Sequence, residues 1–208
     1  MYYKALDTYW SQYASTGGIV RGCAAWLLAN GHIDGVVAVI QGPNPGEFYW
    51  STTDDPKKLA RSVYDATNPS LVLHSLTDDE KKNLLFIGTP CQPGINFKYR
   101  ITIVCSGAKR GDPERLVVDY RYGIKPNNYG LLYADGGYVP ESKVVTSKIK
   151  SACRNCLHNY TGDMIVGDLH GTPYNIVQTN NPLFDEYIKT TKHKEFTEQM
   201  FHICTVDD

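Results

Sequence analysis

The chain has 208 residues, of which 21 are basic and 22 acidic, and 42% are hydrophobic. This length and apolar content suffice for one buried core, so we expect a single domain over residues 1–208. The balanced charge argues against nucleic-acid binding, and no run reaches the roughly 20 apolar residues of a membrane-spanning helix. The N-terminus lacks the basic and apolar segments of a secretory signal, so we expect a soluble cytoplasmic protein.

The first elements in chain order are a helix and a buried strand. Apolar residues recur at helical spacing over Ile19–Leu27, after a glycine pair, and Asn30 and Gly31 form a helix stop. The β-branched run Val36–Ile40 is flanked by glycine and predicts a strand buried on both faces.

The next stretch alternates between helical segments and apolar runs. A capping aspartate and an early proline predict a helix over Asp54–Tyr64, and a shorter helix follows over Pro69–Leu76. Residues 77–83 read as a charged linker, and Leu84–Ile87 and Ile101–Val104 as two buried strands. Alternation of this kind predicts an α/β fold with a mixed, largely parallel sheet flanked by helices.

The second half of the chain begins with short, tyrosine-rich pieces from residue 116 onward. Asp135-Gly136-Gly137 is a hairpin-turn sequence, so this segment is predicted to be antiparallel. Strands are then expected at Met164–Val166 and Asn175–Gln178, with a helix from about residue 182 to 192.

Four of the six cysteines form a pattern suited to an iron–sulfur cluster. Cys91 lies in GTPCQ, Cys105 ends the run ITIVC, and Cys153 and Cys156 form a C-x-x-C turn. A [4Fe–4S] cluster takes four thiolates, often from such a turn together with distant cysteines. In a reducing compartment an even number of cysteines favours metal binding over disulfides. We therefore predict that these four cysteines bind a [4Fe–4S] cluster.

Zinc is the alternative occupant of this cysteine site. Its tetrahedral geometry would be met by four thiolates, or by three with His158 or His170. A lone cysteine is also commonly a small core residue. We assign that structural role to Cys23 and Cys204, which lie in no motif.

The sequence Thr16-Gly17-Gly18 directly precedes the first predicted helix. Unpaired backbone N–H groups and the helix dipole at a helix start attract anions, so this segment is a candidate cradle for a diphosphate. Arg21, one turn into the helix, is a second candidate contact. The alternative is a threonine cap with glycines required for tight packing, and an arginine that faces water.

Gly167 and Asp168 lie at the junction between a strand and a loop, in the segment GDLHG. Glycine lets a ligand approach the backbone closely, and the aspartate supplies a polar group, so this junction is a candidate cofactor contact. The alternative is an ordinary turn with a solvated aspartate.

Taken in order, these motifs resemble the coenzyme F420 hydrogenase/dehydrogenase beta-subunit family. The resemblance runs from about Thr16 to Gly171 and rests on TGGIV, IDGVVAV, GTPCQ, the strand ending in VC, CRNC and IVGDLHG. Two features depart from the family pattern: Arg21 stands where threonine is common, and Val63 stands where a Ser-Lys-Tyr segment has lysine.

The resemblance implies an iron–sulfur flavoprotein with one [4Fe–4S] cluster and FAD, active in electron transfer. It places the family's cluster cysteines on Cys91, Cys105, Cys153 and Cys156, its diphosphate glycines on Gly17 and Gly18, and a motif near the cofactors on Gly167 and Asp168. The implied redox partner is coenzyme F420, ferredoxin or a partner subunit, within an oligomer or complex. The alternatives are a reductase of a tetrapyrrole or other organic acceptor on the same fold, and a non-catalytic zinc-binding assembly module.

Overall fold

The computed structural model describes residues 2–12, 14, 16–44, 47–61, 68–89, 92, 96–105, 125–127, 130–132, 138–139, 162–168 and 174–194. For residues 104–105, 125–127, 130–132, 138–139 and 168 it describes the backbone alone. The helices and strands, in chain order, are β1 (Tyr2–Lys4), α1 (Thr8–Gln12), α2 (Ile19–Ala29), β2 (Gly35–Gln41), β3 (Phe48–Thr53), a 3-10 turn (Pro56–Lys58), α3 (Ser70–Ser75), α4 (Asp78–Lys82), β4 (Leu84–Gly88), β5 (Tyr99–Cys105), β6 (Lys125–Asn127), β7 (Gly130–Leu132), β8 (Tyr138–Val139), β9 (Met164–Asp168), β10 (Asn175–Thr179), α5 (Pro182–Lys189) and β11 (Lys192–Lys194).

The fold is built on a mixed eight-stranded sheet with the order β11-β1-β10-β9-β5-β4-β2-β3. The four adjacent strands β9, β5, β4 and β2 are parallel. Antiparallel strands extend this centre on both sides, β3 next to β2 and then β10, β1 and β11 beyond β9. The predicted α/β class with a mixed sheet is confirmed, and the parallel pairing lies in its middle.

Helices cover both faces of this sheet because the central strands bury side chains on both sides. In β2, Val36 and Ala38 join a large core cluster with residues of α2 and α5, whereas Val37 joins a second cluster on the other face. That second cluster contains Phe86 of β4 and packs against Val72 of α3, among others. The continuous apolar runs that predicted two-sided burial are thereby explained.

Helix α2 carries the largest part of the covering layer on the first face. Its buried side includes Ile19, Cys23 and Leu27, all fully buried and spaced four residues apart, so that they lie on one face of the helix. The helix ends as predicted: Gly31 takes a left-handed φ of 68° and donates its N–H to the Leu28 carbonyl at 3.1 Å.

The helix expected over Asp54–Tyr64 is wrong for the described part of that range. Asp55 does cap a turn, accepting a hydrogen bond from the Lys57 N–H at 3.0 Å, but that turn is 3-10 and spans only Pro56–Lys58. Leu59 then forms an antiparallel bridge with Ile40, and the Ala60 N–H donates to the Val39 carbonyl at 2.9 Å. Pairing with strand β2 and burial of Leu59 outweigh the local helix propensity.

Three further details differ from the sequence reading. The charged linker contains helix α4, whose Thr77 and Glu80 form a capping box. The N-terminal segment, for which no element was predicted, supplies β1 and α1. The last predicted helix ends at Lys189, and the chain then forms the edge strand β11.

The tyrosine-rich segment forms a separate three-stranded antiparallel sheet with the order β6-β7-β8. The predicted Asp135–Gly137 turn lies between β7 and β8 but outside the described residues. Among the described residues, no helix is both long enough and apolar enough to cross a membrane.

Candidate cofactor site

The carboxyl ends of the central parallel strands lie at one edge of the sheet, and the described residues of three predicted motifs, those around Thr16, Cys105 and Gly167, lie there. Cys105, the last residue of β5, is in register with Asp168, the last residue of β9. Asp168 pairs in turn with Asn175, and Asn175 with Tyr3. At about 4.8 Å per strand spacing, these four backbone positions span roughly 14 Å. This edge is where open α/β sheets bind ligands.

The glycine-rich loop before α2 lies at this same edge. Strand β1 runs in the same direction as β9, and the loop follows its end: the Ala5 N–H donates to the Gly17 carbonyl at 2.8 Å. Helix α2 therefore presents its N-terminus at the carboxyl edge of the sheet. Gly18 is its N-cap and supplies no side-chain cap, so the dipole and first-turn N–H groups favour an anion at this end.

Close packing also requires glycine at positions 17 and 18. A Cβ on Gly17 would lie 2.7 Å from the Tyr3 carbonyl oxygen and 2.8 Å from Asn175 Oδ1. Gly18 has a left-handed φ of 75°, and a Cβ there would lie 2.6 Å from the Trp10 carbonyl oxygen. The space that these side chains would need is filled by the protein's own chain. The feature of this loop that favours a diphosphate is therefore the N-terminus of α2, since the missing side chains leave no room for one.

The structure buries Arg21 and does not leave it facing water. Only 8% of the residue is exposed, and its Nη2 donates a hydrogen bond to the Leu59 carbonyl. Burial, and to a smaller extent nearby Arg61, lower the pKa of the guanidinium to about 10, while Tyr9 opposes the shift. Arg21 thus links α2 to the segment after the 3-10 turn. A contact with a cofactor phosphate remains a prediction for this residue.

Asn175 is a site residue that sequence reasoning missed. It is 2% exposed, and its Nδ2 donates to Thr16 Oγ1 at 2.6 Å and to the Gly167 carbonyl at 3.3 Å. One amide therefore joins the two segments that were singled out separately as cofactor contacts. The only sequence signal was an asparagine at the start of a short apolar strand, a feature shared with many turns.

The cysteines are described only in part. Cys105 lies at the carboxyl edge by its backbone, whereas Cys91, Cys153 and Cys156 lie outside the described residues. Gly88, three residues before Cys91, ends β4 at that same edge. Cys23 is fully buried in the core and burial raises the pKa of its thiol, which agrees with the structural role assigned to it.

The remaining residues singled out from the sequence are also described only in part. Gly167 is buried in β9, and Asp168 is described by its backbone only. His158, His170 and Cys204 lie outside the described residues, as does Val63. The set of four cysteines has the donor chemistry that a [4Fe–4S] cluster requires, and that assignment remains a prediction.

Comparison with known proteins agrees with the resemblance inferred from the motifs. Residues 1–74 match the family model described as "Coenzyme F420 hydrogenase/dehydrogenase, beta subunit N-term". This range contains the Thr16–Gly18 loop, α2 and β2. No curated protein matches the chain.

A solved structure shares the fold. The chain is similar to one from the structure described as "Xenon derivatization of the F420-reducing [NiFe] hydrogenase complex from Methanosarcina barkeri", with a TM-score of 0.63 and 15% identity. The similarity covers 98% of this chain and 86% of that chain. At this identity the likeness establishes the architecture.

Proposed function

We propose that this protein is an iron–sulfur flavoprotein oxidoreductase. The premise is that residues 1–74 match the model of the coenzyme F420 hydrogenase/dehydrogenase beta-subunit family. In this proposal FAD lies with its diphosphate at the N-terminus of α2, and Cys91, Cys105, Cys153 and Cys156 bind one [4Fe–4S] cluster. Coenzyme F420 or ferredoxin is the redox partner. The family itself is one of hydrogenase and dehydrogenase subunits.

The observation that supports the proposal is that three of the motifs, those around Thr16, Cys105 and Gly167, lie at one edge of the sheet. Cys105 is in register with Asp168, and Asn175 joins Gly167 to Thr16. Residues distant in sequence therefore meet where a flavin and a metal cluster would have to lie close together. A structural zinc site alone gives no reason for the helix N-terminus to share this edge.

The two cofactors would supply the conversion between two-electron hydride chemistry and single-electron transfer. The protein's own residues would bind and orient them. The dipole and N–H groups of α2 would hold a diphosphate, and the Thr16–Gly18 loop would fix its position. Buried surroundings and hydrogen bonds to sulfur set the potential of a cysteine-bound cluster.

The structural comparison also supports a role as one subunit of a larger complex. The structural neighbour belongs to a hydrogenase complex and matches 98% of this chain. We therefore propose a partner subunit or a soluble electron carrier as the second redox component. This part of the proposal rests on the fold and the family together.

Anaerobic purification with iron, sulfide, zinc and flavin analysis tests the proposal directly. The expected protein is brown, with flavin bands, about four iron atoms and one FAD per chain. Cys153→Ser is expected to remove the iron, because serine is a poor ligand for the cluster. Cys23→Ala is the matched control, since Cys23 lies in the core and is expected to leave the iron content unchanged.

Two results would contradict the assignment. A colourless protein with stoichiometric zinc would support the assembly module instead. Undiminished iron in Cys153→Ser would remove this residue from the ligand set.

A further inference from the structure

The buried amide of Asn175 lies between the two candidate cofactor segments. Its single Nδ2 carries two hydrogens, and the structure provides two oxygen acceptors for them, Thr16 Oγ1 at 2.6 Å and the Gly167 carbonyl at 3.3 Å. The residue is 2% exposed, so these bonds are made away from bulk water. An amide nitrogen is the side-chain group of this size that can donate to both acceptors at once.

The same residue determines how closely the loop can approach the sheet. Asn175 Oδ1 and its backbone nitrogen lie 2.8 and 3.1 Å from the position of a Cβ on Gly17, so the loop packs directly against this residue. The loop also contacts the end of β1, where the Gly17 carbonyl accepts a hydrogen bond from the Ala5 N–H. The loop is therefore fixed between the end of β1 and the start of β10.

Asn175 also has a fixed position relative to the predicted metal site. Its backbone pairs with Asp168, which pairs with Cys105, so two strand spacings separate Asn175 from the cysteine. That separation is about 10 Å. A group that fixes the loop to Asn175 thereby fixes it relative to Cys105.

We propose that Asn175 is a positioning residue for the flavin site. By donating to Thr16 and Gly167, it fixes the Thr16–Gly18 loop, and with it the N-terminus of α2, at a set distance from the cysteine end of β5. This inference rests on the proposed function, because it assigns the consequence of that position to flavin binding and to electron exchange with the cluster.

The test compares two asparagines at opposite ends of strand β10. Asn175→Ala and the near-isosteric Asn175→Asp both remove the two donated bonds. Asn180→Ala is the matched control: Asn180 follows the other end of β10 and donates its Nδ2 to the Gly162 carbonyl at 3.3 Å, away from the carboxyl edge. Thr16→Val removes the acceptor while keeping the shape, and Thr16→Ser retains it.

Two readouts are taken anaerobically on protein that is folded at the temperature used. The first is FAD affinity, with the flavin midpoint potential, after removal and readdition of FAD. The second is hydrogen exchange of the Ala5 amide, which reports whether the loop is attached to the sheet, with or without flavin.

We expect the Asn175 variants to lose both flavin affinity and protection of the Ala5 amide. FAD affinity falls about tenfold or more in both Asn175 variants, the size of effect produced by losing buried hydrogen bonds. Exchange at Ala5 becomes faster in them, and Asn180→Ala changes neither readout. Thr16→Ser keeps the wild-type affinity. Combining Thr16→Val with Asn175→Ala costs less than the two single losses added together, because both remove the same bond.

Several results would overturn the inference. Wild-type affinity in the Asn175 variants would show that the loop needs no such anchor for flavin, even if Ala5 exchanged faster. Unchanged exchange at Ala5 would show that the amide does not fix the loop. Equal losses in the Asn175 and Asn180 variants would indicate general destabilisation. Wild-type protein that binds no FAD would overturn the proposed function, and the exchange data would then report separately on whether the loop is fixed.

Discussion

In the part of the chain that the structure describes, two glycines have left-handed backbone conformations, and they allow backbone strain and steric overlap to be measured separately. Gly18 has φ 75° and Gly31 has φ 68°. A Cβ on Gly18 would lie 2.6 Å from the Trp10 carbonyl oxygen, whereas no atom of the described residues lies within 4 Å of a Cβ on Gly31. Alanine at Gly31 should therefore cost only the conformational term, roughly 1–2 kcal/mol.

Alanine at Gly18 should cost that amount and a packing term. The overlap is with backbone, which cannot turn aside as a flexible side chain can, and overpacking of this kind costs about 1–3 kcal/mol. We expect Gly18→Ala to lower the free energy of unfolding by about 2–5 kcal/mol in total, given these two ranges. For a chain of this size, each kcal/mol corresponds to roughly 2–4 °C in the melting temperature.

The assay is urea unfolding followed by tryptophan fluorescence, with cofactor content matched between the variants. Gly31→Ala serves as the control in every experiment. Equal losses of stability in Gly18→Ala and Gly31→Ala would refute the reasoning, because they would show that the loop moves away from Trp10 at no cost.

Two further predictions concern the core and the pH dependence of stability. Leu27→Ala should lower the free energy of unfolding by about 2–5 kcal/mol, because Leu27 is fully buried on α2. The control is Leu71→Ala, at a position 88% exposed, which should change the free energy of unfolding by no more than about 0.5 kcal/mol. Similar losses in the two variants would contradict the assignment of Leu27 to the core. Burial raises the pKa of the half-buried Asp163 carboxyl above its usual 3.8, with Arg100 opposing the shift. A raised pKa in the folded state stabilises the protein at pH values below the usual pKa, and this stability is lost as the pH rises through the raised value. In denaturation series at several pH values, Asp163→Asn should therefore gain stability relative to the wild type as the pH rises through that range. A stability difference that does not change with pH would contradict the shift.

Elements with strong local signals were predictable from the sequence. The apolar periodicity of α2, the glycine stop after it and the β-branched run of β2 are local patterns, and each formed the expected element. The helix expected after Asp54 failed because Leu59 pairs with Ile40, a partner 19 residues earlier in the chain. Local propensity contains no information about such a partner.

The candidate site, like the fold, was predictable from the sequence only in part. The motifs around Thr16, Cys105 and Gly167 could be singled out from residue type and spacing, because helix ends, thiols and glycines have chemistry of their own. Their convergence could not, since it depends on which strands become neighbours and in what register. Asn175 shows this most clearly: its two acceptors lie 159 and 8 residues away in sequence.

The sequence by itself determined the α/β class and the positions of α2 and the central strands, and it led to a predicted set of residues for binding a flavin diphosphate and iron. The tertiary structure alone decided that β10 lies between β9 and β1, that Gly17 packs against Tyr3 and Asn175, and that Arg21 is buried against Leu59. The physical reason is that residue chemistry and short-range periodicity are local properties of the sequence. Strand neighbours and close backbone contacts depend instead on how distant segments pack together in the folded chain.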